Sequence, residues 1–370
     1  MPKTKRLHFK DIDALRFFAF VPIFAYCVLL LTLTDEEGIH FEITSLASYI
    51  AINSLDFFFF ISAFLITAQG LREFKYNEKF ALRSFFARRI LRILPLLIFG
   101  LVFAFVIHPW VMRTLKLNVI EPLSYWKYFL PFPNYFYNVV REQQIYLGVI
   151  CSIYMFVQFY FVWGIILKFF KTNLRVISFS IILVGLTARI IHHFTDTNFL
   201  FDTMSYGVPI GFGALLAELI RGESKLIDKI KTISKRKIVV IYFCGVSAVL
   251  FGYLLSTNFL MASLLPIVTC TFFSVVVIEQ TFGKNSIYKL RNNKVIIHLG
   301  KISYGLILYQ SILNVLLVIG IHSLEFEMSS LTVKIGFGLL SFVMTWIVAD
   351  VSFNLIEKPL IRLRREFKKI

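Results

Sequence analysis

Apolar runs of about twenty residues, each closed by charged or turn residues, follow one another along this chain. A run of that length spans a bilayer as a helix. Ten spans are predicted, at roughly 14–34, 47–69, 91–111, 145–169, 174–192, 203–220, 237–256, 258–279, 295–320 and 331–356. The predicted fold is therefore an all-α integral membrane protein, one polytopic bundle of about ten transmembrane helices. One membrane domain is expected to fill residues 1–370, with no soluble domain, repeat or low-complexity tail. The start MPKTKRLHFKDIDALR runs into an apolar segment long enough to span and without a small-residue cleavage site, so no cleavable signal peptide is expected.

Composition agrees. Of 370 residues, 58% are hydrophobic and only 16% charged, against about 25% charged in soluble domains. The net charge of +17 invites a nucleic-acid reading, but its distribution removes it. Most of the 39 Lys and Arg fall in the N-terminus and the loops near 70–92, 168–175, 221–237, 280–294 and 358–370. Those segments share one side of the predicted topology, so the positive-inside rule makes both termini cytoplasmic. The loop 112–144 on the other side, with WKYFLPFPNYFYN, reads as an interfacial aromatic belt or a re-entrant cap. Cys27, Cys151, Cys244 and Cys270 lie in apolar runs without paired spacing, which argues against a zinc site or disulfide framework.

Candidate chemistry gathers in Asp56–Pro95. Asp56 sits inside a span, where a carboxylate costs roughly 3 kcal/mol even on lenient insertion scales. Arg88, Arg89 and Arg92 crowd one helical turn at the membrane edge, a surface suited to phosphates. In the first span, Arg16 and Cys27 fall on nearly the same helical face about 16 Å apart along the axis. Counted from the outer ends of their spans, Cys27, Asp56, Phe156 and Gln310 all lie roughly 10–17 Å deep.

These segments resemble the acyltransferase-3 family of membrane O-acyltransferases. Asp13-Ala14-Leu15-Arg16 matches its opening Asp-x-Leu-Arg, and Asp56 to Thr67 its second-span pattern, with Ala63 in place of Gly. Arg88, Arg89, Arg92 and Pro95 match Arg-Arg-x-x-Arg-x-x-Pro. Gly300-Lys301-Ile302-Ser303-Tyr304 matches Gly-x-x-Ser-Tyr, and Ile356-Glu357-Lys358-Pro359 the closing Ile-Glu-x-Pro. The resemblance implies a bacterial cytoplasmic-membrane enzyme that moves an acetyl or other short acyl group from cytosolic acyl-CoA. The acceptor it implies is an extracytoplasmic glycan, envelope polysaccharide or lipid-linked sugar. Acetyl-CoA is the expected donor, and neither a metal nor nucleic acid is expected. The resemblance puts the CoA phosphates on Arg16, Arg88, Arg89 and Arg92, and the acyl-transfer position at Cys27.

The departures fall at the chemistry. Cys27 stands where the family has a His, Phe156 where it has a Glu, and Gln310 where it has a second His. A degenerate relative that binds acyl-CoA or lipid without turnover is the rival reading. A transporter of an acidic solute is a weaker third, since no broken Gly/Pro helix pair supports it.

Each candidate also has a plain alternative. Arg88, Arg89 and Arg92 also suit positive-inside anchors or lipid-headgroup contacts, and Arg16 a pair with Asp13 one turn earlier. Cys27 suits a small buried apolar residue, because a thiol in apolar surroundings is a poor nucleophile. Asp56 reads evenly as a base or orienter and as a hydrogen-bonding partner of a hydroxyl on a neighbouring helix. Gln310, Ser303 and Tyr304 suit hydrogen bonds between helices. His192 and His193 are either imidazoles at the acceptor mouth or solvated interface residues beside Asp202, itself a cap for the next span. Asp350 and Glu357 read as structural partners for cytoplasmic arginines, and His8, His108 and His298 as peripheral.

Overall fold

The first apolar run folds as α1, Lys10–Thr32, and carries both Arg16 and Cys27. This computed structural model describes residues 9–33, 39–78, 80–117, 125–136, 145–195, 197, 199–222, 225–256, 258–324 and 330–363. His8 lies outside them. Every element among the described residues is helical, and nine helices are long and apolar enough to cross a membrane. The chain is an all-α polytopic membrane protein.

Helix α2, Ile39–Asn77, outruns its predicted span of 47–69. Its 39 residues reach about 58 Å, nearly twice a hydrocarbon core of about 30 Å. Its polar ends contain no breaker before Glu78, which adopts a positive φ of 57°. α3, Leu82–Val102, runs through Pro95 and passes by a π turn, Phe103–Ile107, into α4, His108–Thr114. α5, Ile145–Phe169, and α6, Leu174–Phe194, follow their predicted runs.

The predicted span 203–220 becomes α7, Gly207–Arg221, of 15 residues behind a 3-10 turn, Met204–Tyr206. At about 22 Å, α7 alone falls short of a bilayer core. After α8, Lys225–Lys231, α9, Lys235–Leu255, and α10, Phe259–Phe282, match the predicted pair. The predicted run 295–320 breaks at Ile302 into α11, Lys294–Lys301, and α12, Ser303–Ser323. α13, Leu331–Ser352, passes by a second π turn into α14, Lys358–Leu363.

The chain divides into two compact units. The first holds residues 1–23, 48–81 and 163–301. Its core is the Phe57–Phe60 run, with Phe57 against Phe273 and Phe59 against Tyr206, both at ring centroids of 4.5 Å. Gly185 and Gly207 let α6 and α7 approach backbone to backbone, where any Cβ would collide. Trp163, fully buried, donates from Nε1 to Thr67 Oγ1 at 2.9 Å and ties α5 to α2.

The second unit holds residues 24–47, 82–162 and 302–370. Within it the aromatic loop forms two 3-10 turns, Tyr125–Phe129 and Pro133–Phe136. Tyr154 donates to the Tyr128 carbonyl at 2.5 Å, and Gln158 Nε2 donates to the Pro131 carbonyl at 2.9 Å and Asn134 Oδ1 at 2.7 Å. Gln158 lies about 20 Å along α5 from its start, so the loop folds back beside the helix. Of the two readings of this loop, the re-entrant one matches that geometry.

Candidate active site

The arginine face belongs to the second unit. Phe85, Arg88, Arg89 and Arg92 recur at helical spacing on α3, so one side of the helix carries the charge. Arg88 donates to Ser84 Oγ at 2.5 Å. Arg89 lies 5.1 Å above the ring of Tyr160 and 5.6 Å from that of Phe85, and Arg92 lies 4.6 Å above Tyr304. Tyr160 on α5 and Tyr304 on α12 share a hydrogen bond between their hydroxyls at 2.8 Å. Two arginines thus stack on two mutually bonded tyrosines. Such contacts contribute about 0.5–2 kcal/mol each and hold the guanidinium planes fixed. Buried Glu357 packs within electrostatic reach of Arg92, as its reading as an arginine partner expected. Asp350 accepts from Asn354 Nδ2 at 3.2 Å.

The same unit brings two candidates together. Gln310, fully buried, donates from Nε2 to Cys27 Sγ at 3.8 Å, the longer reach normal for sulfur. Its Oε1 is buried with no hydrogen-bond partner among the described residues. The amide on α12 therefore reaches α1, and with the Tyr304–Tyr160 bond it matches the alternative reading of hydrogen bonds between helices. Phe156 packs edge-on to Tyr304, with ring centroids 6.1 Å apart.

In the first unit, Arg16 is 4% exposed, with Nη1 3.5 Å from Asp13 Oδ1, the pair its alternative reading expected. Gly300 packs on the Asp13 carbonyl so closely that a Cβ there would collide with it. The glycine of Gly-x-x-Ser-Tyr thus seats α11 on the Asp-x-Leu-Arg turn of α1.

Asp56 has a partner that the sequence reading missed. Arg189 on α6 donates from Nη2 to Asp56 Oδ1 at 2.6 Å, with both side chains at least nine-tenths buried. Arg189 Nε donates to the Ser205 carbonyl at 2.9 Å, and its guanidinium lies 5.0 Å from the ring of Phe199. The expected hydroxyl is replaced by a cation, since a buried carboxylate is held best by an opposite charge. Arg189 falls inside the predicted span 174–192, three residues from its end, so a charge within an apolar run was the available signal, although depth counting does not bring it to the level of Asp56.

This pair lies on a cavity of about 350 Å³ whose lining includes Tyr49, Asn53, His192, His193 and Thr197. His192 is bridged, with Nε2 3.4 Å from Asp202 Oδ2 and Nδ1 2.6 Å from Thr197 Oγ1. Asp202 also caps the next turn by accepting from the Met204 and Ser205 amides at 3.1 and 3.0 Å. Half-buried His192 is therefore more ordered than a solvated interface residue, while exposed His193 packs on Phe259. His108, read as peripheral, is buried and bonds Tyr146 at 3.2 Å. No cluster of three or more His, Cys, Asp or Glu among the described residues is placed to hold a metal ion.

The sequence matches a family model, described as an acyltransferase domain, over residues 9–351. It is also similar to the O-acetyltransferase OatA of Staphylococcus aureus, in strains NCTC 8325 / PS 47, COL and MRSA252. Each is 23% identical over 328 residues, which are 83% of this chain and 52% of the relative. The chain thus spans about half the length of the curated relatives it matches. No solved structure matches it. The family model takes in every candidate residue from Arg16 to Gln310, and the chain belongs to the acyltransferase-3 family of integral-membrane proteins.

Proposed function

We propose that this protein is a membrane O-acyltransferase that takes a short acyl group, acetyl first, from cytosolic acyl-CoA to a hydroxyl of an extracytoplasmic glycan or lipid-linked sugar. The observation that carries the reading is the arginine face of α3, with Arg89 and Arg92 fixed on Tyr160 and Tyr304. Arg88, Arg89 and Arg92, with Arg16, bind the CoA phosphates as charge-assisted donors. Cys27 lines the path of the acyl group, and Gln310 holds it by the amide. Both termini are cytoplasmic, and one membrane domain carries the activity.

Asp56 acts as a positioning residue through Arg189, because its carboxylate is committed to the guanidinium. The acceptor enters the cavity beside that pair. There Asp202 orients His192, and the Thr197 hydroxyl, 2.6 Å from Nδ1, occupies the place of an acceptor hydroxyl. His192 is the candidate base for an acceptor hydroxyl in that cavity. In the transfer, the deprotonated acceptor oxygen attacks the thioester carbon, the carbon–sulfur bond breaks, and the CoA thiolate takes up the proton.

A second reading, a relative that binds acyl-CoA without turnover, is favoured by the neutral contact between Cys27 and Gln310. Binding is the first test. Calorimetry with acetyl-CoA is expected to show Arg89→Gln and Arg92→Gln each weakening affinity by about 1.5–3 kcal/mol. Unchanged affinity in both variants would return these residues to the role of topological anchors.

A further inference from the structure

About 24 Å beyond Asp56 along α2, the first unit contains a second cavity with a different chemistry. It measures about 410 Å³ and lies where α2, α7 and α10 all finish. Arg72 and Lys75, three residues apart on one face of α2, meet Arg221, the last residue of α7, at its rim. No acidic residue stands among its described lining. The three helix ends contribute roughly half a negative charge each, which leaves the rim net positive. Below the cations the wall is apolar, formed by Phe64, Ala68, Leu71, Ile220 and Phe282. Phe9 closes the floor, its ring 6.1 Å from both Phe64 and Phe282.

We infer that this cavity is a binding site for one anionic glycerophospholipid, with its phosphate among Arg72, Lys75 and Arg221 and the upper part of an acyl chain on the phenylalanine floor. A cationic rim at the end of three membrane helices matches a headgroup in charge and in level. The floor decides against the other phosphate-bearing amphiphile, acyl-CoA. Its pantetheine arm carries two amides, and Phe9, Phe64, Ala68, Leu71 and Phe282 offer no side-chain donor or acceptor to either; the one hydroxyl of the described lining belongs to Tyr76, an exposed residue beside Arg72 and Lys75 on α2. Burying an amide without a partner is penalised, whereas a methylene chain gains from the same wall. The site is independent of acyl transfer, so neither proposal depends on the other.

The full chain, purified in detergent, is titrated with phosphatidylglycerol or phosphatidylcholine. Bound lipid is counted by native mass spectrometry, and the melting temperature is followed in parallel. Phosphatidylglycerol is expected to bind at least tenfold more tightly and to raise the melting temperature. The triple variant Arg72→Gln/Lys75→Gln/Arg221→Gln should remove most of that preference. Ala68→Phe, which fills the floor and keeps every charge, should weaken phosphatidylglycerol binding at least fivefold. If the triple variant fails to fold, Lys75→Gln and Ala68→Phe decide the matter. Equal binding of the two lipids, or indifference of phosphatidylglycerol binding to both the charge and the floor variants, overturns the inference. Displacement of phosphatidylglycerol by CoA, lost when the three charges are removed, also overturns it and assigns the cavity to acyl-CoA.

Discussion

Taking away the cation opposite Asp56 separates a structural from a functional role for the buried pair. Arg189→Met keeps most of the side-chain volume but leaves a carboxylate that is 1% exposed without its partner at 2.6 Å. It also strips the Ser205 carbonyl of its donor. Breaking a buried pair on one side costs about 3–5 kcal/mol, because the surviving charge stays desolvated and uncompensated. Asp56→Asn with Arg189→Met removes both charges. That variant is expected to cost only about 2 kcal/mol, less than Arg189→Met alone, so the two changes are far from additive. Unfolding of the purified protein in mixed micelles by added SDS, followed by tryptophan fluorescence, measures all four corners of the cycle. Acyl transfer by the double variant then reads function. Recovered stability without activity is expected if the pair also orients the acceptor. A loss below about 1 kcal/mol for Arg189→Met, or strictly additive single changes, would refute the reasoning.

Two other substitutions test separate parts of the account. Gly300→Ala drives a methyl group into the Asp13 carbonyl, so α11 must move off α1; a loss of about 1–3 kcal/mol and a raised KM for acyl-CoA are expected, measured by thermal unfolding and initial rates. Cys27→His alone is expected to give little activity, because Phe156 and Gln310 also differ from the family pattern; the triple change Cys27→His/Phe156→Glu/Gln310→His should raise acyl-CoA hydrolysis or transfer above wild type.

Span order and most boundaries were legible because runs of about twenty apolar residues carry that signal directly. Where the reading erred, a local event outweighed hydropathy. α2 continues through polar ends that contain no breaker, and the run 295–320 breaks at Ile302 beside a glycine packed on α1. α7 was counted as a span although its helix is only 15 residues long. At the site, helical spacing disclosed the arginine face of α3, and depth counting brought Cys27 to the level of Gln310. Arg189, 133 residues from Asp56, stayed hidden because span assignment gives depth but not which helices face each other. Tyr304 read as a motif member and a hydrogen-bonding residue, and Tyr160 was not singled out. Their role as platforms needs the crossing of α3, α5 and α12, which no single helix encodes.

The central claim is turnover, and one measurement addresses it most directly. The purified chain is incubated with acetyl-CoA radiolabelled in the acetyl group, with and without soluble glycan acceptors. The account predicts label on an acceptor hydroxyl, or released acetate when no acceptor is present, both abolished by Arg89→Gln/Arg92→Gln and by His192→Gln. Acetyl-CoA that binds to the arginine face yet remains intact under both conditions would contradict it and leave the non-catalytic relative in its place.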